Sequence, residues 1–300
     1  MTISFPKLHL GRGTPLGPLT LFPVWSAGSS LDHPAGGGRL RTVRSAELQI
    51  AEREGSPVVS ELVVTNNSPD RVLLLEGDLL EGGWQNRVVS EPVIIAAGAS
   101  AVVPVNCVER SRWHGQATHS SRGRKVGPRV RERLDRDRGD RQSAVWESVA
   151  QYASTLTPSL TESYLDYLDT GFTLEEAEVP PVLAGQTGVM IGIAGHPVML
   201  EVFTTHQEFA LAYEHIIKAA ITDSIGGQVI ATPSRRARRF LAGLETSLME
   251  QSLSLSGGTA LKAEPRNEVV YASVSAVECD EKLVHLIALN RRHNLLAEAI

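Results

Sequence analysis

Between residues 62 and 105 the chain repeats one pattern, three to five apolar residues followed by a short cluster of turn formers. Leu62-Val63-Val64 runs into Asn66-Asn67-Ser68-Pro69-Asp70, and Val72-Leu73-Leu74-Leu75 follows. Pro92-Val93-Ile94-Ile95 runs into Ala97-Gly98-Ala99-Ser100, and Ala101-Val102-Val103-Pro104-Val105 leads out. Runs this short and this apolar are those of strands buried on both faces, although periodicity alone also admits a buried helical segment. The turn cluster at 66–70 predicts a hairpin between the first two runs. Several short strands separated by turns indicate a sandwich or a curled sheet.

The rest of the chain supplies helices and more strands. Leu19 to Trp25 alternates well enough for a strand, and the Gly- and Pro-rich stretch 29–38 reads as a loop. Val43, Ala46 and Ile50 are spaced for a short helix over 42–50. Residues 143–155 place Val145, Trp146, Val149 and Tyr152 on one face, with Gln142 or Ser143 as the start. A further short helix is expected over 161–168, capped by Thr161. Gly188 to Phe203 reads as a buried hairpin turning at 194–197. The clearest helix is 208–224, where Phe209, Ala212, Tyr213, Ile216, Ile217, Ala220 and Ile221 form one stripe. Another is expected over 235–248 with Ser234 as N-cap, and strands over 269–277 and 283–289 close the chain. The expected fold is α+β. Its β-rich core, sandwich-like or curled, is drawn from N- and C-terminal strands, with two to four helices packed on it. One domain is expected over 1–300. Within it, residues 1–118 are β-rich, residues 119–142 form an exposed basic loop, and residues 143–300 supply helices and a hairpin that add strands to the same core.

Composition excludes several classes of function. The formal net charge of −5 argues against a general nucleic-acid binder. Residues 119–142 depart from that average with nine Lys or Arg against four Asp or Glu, and such charge runs are usually solvated. No window approaches the eighteen apolar residues of a membrane span, and the N-terminus lacks the pattern of a secretory signal. Cys107 and Cys279 are the only cysteines, too few for a disulfide framework. A cytoplasmic location is the expectation by elimination.

The chemistry is concentrated in 76–114. Glu76-Gly77-Asp78-Leu79-Leu80-Glu81-Gly82-Gly83-Trp84-Gln85-Asn86-Arg87 and then Val105-Asn106-Cys107-Val108-Glu109-Arg110-Ser111-Arg112-Trp113-His114 interrupt otherwise apolar strands. Polar groups in such a setting are costly unless something binds them. Gln85 and Asn86 offer paired donors and acceptors, and Arg87 a rigid five-donor fork, a set suited to an amide, carboxylate, phosphate or base edge. The plainer reading is a satisfied buried network that stitches loops to the sheet. Glu109, beside apolar surface, is a general-base candidate with a raised pKa. Cys107 at a strand end is more often a small buried hydrophobe than a nucleophile. Trp113 either stacks on a ring or fills core. No zinc, EF-hand, Walker, nucleophile-elbow or Rossmann pattern is present, and no metal site is expected from His114 and His119, five apart in a segment that reads as loop.

Leu75-Glu76-Gly77-Asp78, residues 82–87, Val103-Pro104-Val105-Asn106-Cys107-Val108-Glu109 and Arg112-Trp113 resemble the core motif of a bacterial family. That family is named for its association with ADP-ribosylglycohydrolases and rhodanese/phosphatase-superfamily proteins. Gln142-Ser143-x-Val145-Trp146, residues 188–203 and Val284-His285-Leu286 resemble its later blocks, so the resemblance covers 42–289. Trp84 departs from it, standing where a smaller or basic residue is expected, and so does the basic insert after His119. The resemblance implies ADP-ribose or NAD-linked metabolism by association, without an established reaction.

Two readings follow. In the first, Glu76, Asp78 and Glu109 provide acid–base chemistry on a nucleotide-derived small molecule, and Gln85, Asn86, Arg87, Cys107, Arg112, Trp113 and His285 bind it. In the second, the same residues make a non-catalytic ligand-binding or protein-interaction module. The partner expected is a small molecule, not a membrane or a nucleic acid. The sequence specifies neither cofactor nor oligomeric state.

Overall fold

The computed structural model describes residues 2–26, 40–53, 55, 58–134, 140–170 and 178–297. Two compact units make up the chain: 1–37 with 173–300, and 38–172. The fold is α+β with a curled sheet core.

In the unit formed by the two ends of the chain, ten antiparallel strands make one sheet. Its order is Thr2–Ser4, Leu248–Leu255, Gly258–Ala263, Ala272–Cys279, Lys282–Asn290, His196–Phe203, Gly188–Ile193, Leu19–Ser26 and Leu8–Leu10, with Thr14–Leu16 also pairing on Leu19–Ser26. The helix Ser234–Glu245 packs Ala237, Phe240, Leu241 and Leu244 into the apolar cluster of Phe22, Met190, Leu200, Leu261 and Leu286. The long helix His206–Ser224 buries its apolar stripe and begins at Thr205, whose hydroxyl accepts from the Glu208 N–H at 3.2 Å. That side-chain cap satisfies one of the unpaired amides of a helix start. The helix over 234–245 starts instead at Pro233, with no side-chain cap from Ser234. The hairpin Leu248–Leu255 and Gly258–Ala263 stands where sequence periodicity continues a helix or gives no element. Among the described residues no helix is long and apolar enough to cross a membrane.

The 38–172 unit is built on a small closed antiparallel barrel. Its order is Arg87–Val89, Ser100–Cys107, Glu61–Asn66, Leu48–Ala51, Thr118–Ser120 and Leu79–Gly82. A three-stranded sheet, Val93–Ile95, Arg71–Leu74 and Leu40–Thr42, accompanies it. Ile50, Leu62, Val64, Leu80, Val89, Val103 and Val105 share one core with Val72, Leu74 and Ile95.

Three local expectations are corrected here. Residues 42–50 form two strands around a single short turn of helix, because Leu48–Ala51 pairs with Glu61–Asn66. Glu61–Asn66 and Arg71–Leu74 do not make a hairpin. The buried Asn66 amide donates to the Asp70, Ile95 and Ala96 carbonyls at 2.8, 3.2 and 3.1 Å, and the chain crosses there from barrel to sheet. Residues 119–134 are not an exposed loop. Thr118–Ser120 is a barrel strand, Lys125 and Arg131 are buried, and Val126, Val130 and Leu134 point inward around the short helix Pro128–Arg131. Residues 135–139 of the basic stretch lie outside the described residues. The helix Arg141–Ala150 begins at Asp140, whose carboxylate accepts from the Ser143 N–H at 3.1 Å. The short helix Tyr164–Thr170 starts three residues after Thr161.

Candidate functional site

Barrel closure brings residues from four strands to one buried polar cluster. Arg87 opens its strand and stands opposite Cys107 on one neighbour and Leu80 on the other. Glu52 follows Leu48–Ala51 directly, and His119 occupies the middle of Thr118–Ser120. The Arg87 side chain has no exposed surface. Its Nη1 donates to Gln85 Oε1 at 3.2 Å, and its Nη2 lies 3.7 Å from Glu52 Oε1. His119 Nε2 meets the same Glu52 oxygen at 3.1 Å. The Cys107 thiol donates to Gln85 Oε1 at 3.0 Å, and Gln85 Nε2 donates to the Arg110 carbonyl at 3.2 Å. Arg87 Nε and Nη2 and Glu52 Oε2 have no hydrogen-bond partner among the described residues.

Over this cluster lies an aromatic edge. The Trp113 ring centre is 5.6 Å from Arg87 Cζ, within cation–π range. Trp84 meets Trp113 edge to face at 5.4 Å. Trp113 is 46 % exposed, so it does not fill core. Gly83 makes the approach of His119 possible. Its φ is +55°, and a Cβ there would lie 2.0 Å from His119 Nε2.

A second set of residues fastens the segment that carries Trp113. Arg112 donates to both Glu109 oxygens at 2.9 and 2.7 Å and to the Gly83, Gly82 and His114 carbonyls at 2.7, 3.2 and 3.0 Å. Glu109 also accepts from the Asn86 N–H at 3.0 Å. The Asn86 side chain accepts from the Gly82 N–H at 2.8 Å and donates to Ser163 Oγ at 3.2 Å. Gln142, from the mid-chain block, grips the strand end. It accepts from the Cys107 N–H at 2.8 Å and donates to the Cys107 carbonyl at 2.9 Å.

Electrostatics follow from these contacts. Burial pushes the Cys107 thiol up to about 11, against a smaller opposing pull from Arg87. The thiolate that a nucleophile needs is therefore disfavoured. Burial pushes the Glu109 carboxyl up, but hydrogen bonds from Arg112, Asn86 and Thr161 outweigh it and hold the group below its ordinary value. This corrects the expectation of a raised pKa. Burial and the Arg87 charge depress His119 more than Glu52 raises it, which favours the neutral imidazole.

The remaining expected residues make other contacts. Asp78 is buried, with Oδ1 2.5 Å from Lys125 Nζ and Oδ2 accepting from the Leu75 N–H at 2.8 Å. Glu76 is half-buried in the turn before it. His285 belongs to the other compact unit, where its Nε2 meets Glu201 Oε1 at 3.0 Å and its ring packs on Phe203 at 4.9 Å. Among the described residues no group of three or more His, Cys, Asp or Glu is placed to hold a metal ion.

The resemblance carried by the 76–114 motif is matched over nearly the whole chain. The family model of ARPP-1, the ARG and Rhodanese-Phosphatase-superfamily-associated Protein domain, covers residues 7–289. The chain belongs to this family. The ARPP-1 match spans strands of both compact units, and its description names an association, not a reaction. No curated protein and no solved structure matches the chain significantly. Within this ARPP-1 domain, sequence reasoning missed Glu52 and misplaced His119. Glu52 sits in Ala51-Glu52-Arg53, which has the look of a solvated turn, and nothing local marks either residue.

Proposed function

We propose that the 38–172 unit is a binding module for a nucleotide-derived small molecule of the ADP-ribose or NAD class. In this reading Trp84 and Trp113 form a stacking edge, and Arg87 with Glu52 and Gln85 holds the inner end of the ligand. The observation that carries the reading is Arg87. It is wholly buried, yet two of its donor nitrogens have no hydrogen bond. Leaving a buried donor unsatisfied costs about 1–3 kcal/mol, more for a charged group, which favours a partner from outside the protein. Trp113, half exposed above the guanidinium, supplies the stacking element such a partner requires.

Binding is favoured over catalysis. Glu109 is neutralised by Arg112, Asp78 is held by Lys125, and the Cys107 thiol stays protonated. The saturation of Asp78, Asn86, Glu109 and Arg112 within the protein favours, for those four residues, the second reading of a bracing network. The test is a thermal-shift titration of the full chain with ADP-ribose and with NAD, alongside tryptophan fluorescence. At a hundredfold excess over Kd, binding to the native state alone adds about 2.7 kcal/mol and raises the melting temperature. Millimolar ligand that neither raises it nor changes the emission overturns the proposal.

A further inference from the structure

Arg87 and Glu52 leave three buried hydrogen-bonding atoms without a partner among the described residues, beside His119 Nδ1, and their arrangement specifies more than a nucleotide. Arg87 presents Nε and Nη2, the side-on edge of the guanidinium, both donors and both without a partner among the described residues. Glu52 presents Oε2, an acceptor equally without one, on the carboxylate whose other oxygen is 3.7 Å from Arg87 Nη2. The cluster therefore offers donors and an acceptor side by side.

Resting on the reading of this site as a ligand site, we infer that its inner end selects a neutral, planar donor–acceptor edge of the carboxamide type over a carboxylate or phosphate. Three observations support the choice. The Arg87 charge is already faced by Glu52, and the Glu109 carboxylate nearby is faced by Arg112, so the charges of these four residues balance. A bound carboxylate would set two acceptors against Glu52 Oε2, an acceptor, and add like charge in a desolvated interior. A carboxamide places its oxygen on the Arg87 edge and its N–H on Glu52, and it lies flat against an indole. Burial disfavours the charged forms of His119 and Cys107, the other titratable groups of the cluster, and so works with this balance.

Nicotinamide and nicotinate share a ring and differ only in this edge, so they are the probes. Saturation-transfer NMR on the full chain, with each compound at the same millimolar concentration, should show nicotinamide bound. Nicotinate should be weaker by about tenfold or more, as expected for a mispaired buried group. Glu52→Gln replaces the acceptor by a side chain that also donates and leaves the Arg87 charge unbalanced. The preference should then turn toward nicotinate, with retained folding checked by melting temperature. Equal or tighter binding of nicotinate to the native protein overturns the inference and leaves a ligand site of the anionic kind. Silence from both probes while ADP-ribose or NAD still shifts melting overturns it too, with the site intact. Silence from all four compounds removes the site itself. If Glu52→Gln does not fold, the comparison of the two probes on the native protein decides alone.

Discussion

Asp78 and Lys125 face each other across an isolated backbone bridge, and their side chains meet at 2.5 Å with almost no exposed surface. One comes from the polar segment that looks most like a reaction centre, the other from the basic stretch that looks most like a solvated loop. Their pairing ties the two segments together. Removing one partner of a buried ion pair leaves an uncompensated charge, so Asp78→Ala should cost about 3–5 kcal/mol. The double variant Asp78→Leu with Lys125→Met should recover most of that loss. Urea denaturation of the parent and both variants measures it, and a single variant as stable as the parent would exclude the pair as a brace.

Arg87→Lys keeps a charge opposite Glu52 and loses the planar fork. A loss of about 1.5–3 kcal/mol is expected, the range for a hydrogen bond to a charged group, together with loss of the nicotinamide signal. Unchanged binding with lowered stability would assign Arg87 to bracing alone.

Arg112 ties Glu109 to the Gly82, Gly83 and His114 carbonyls and so positions Trp113. Arg112→Ala should loosen the Trp84–Trp113 contact and raise acrylamide quenching of tryptophan emission. It also leaves Glu109 buried without its cation, at a cost of about 3–5 kcal/mol. Quenching identical to that of the parent would show that Trp113 is held by something else.

Acid sensitivity should arise in two windows. The His119 pKa is depressed in the folded state, so the unfolded chain binds more protons below the ordinary value of 6.5. The stability it contributes is fully present above 6.5 and is lost as pH falls through the folded pKa. Glu109, depressed below 4.5, contributes stability present above that value and lost further into acid. His119→Gln should flatten the stability curve below pH 6.5 and leave the lower window in place. An unaltered slope in the upper window would exclude His119 as its source.

Cys107 should resist alkylation by iodoacetamide at pH 8 in the native protein, because burial raises the thiol to about 11 and Gln85 holds its proton. Cys279 is also buried, so both sites should label only on unfolding, read by mass spectrometry. Rapid native labelling of Cys107 would restore it as a nucleophile.

What the sequence by itself determined is local. The alternation of short apolar runs and turn clusters specifies strands, and most form where expected, because side-chain periodicity and turn chemistry act within a few residues. The stripe from Phe209 to Ile221 specifies the long helix for the same reason. The density of polar residues in 76–114 marks the segment that supplies Gln85, Arg87 and Cys107 to the cluster. Tertiary structure decided which strands pair and which charges meet. The run 62–64 looks ready for a hairpin with 72–75, yet Asn66 anchors a crossing through carbonyls some thirty residues away. Glu52 and His119 meet across 67 residues of sequence through barrel closure, and no local pattern encodes such a distance. Lys125 and Arg131 are buried in a stretch whose composition reads as solvated. A charge is stable inside only beside its counter-charge or a strong hydrogen-bond partner, and the identity of that neighbour exists only in the folded chain.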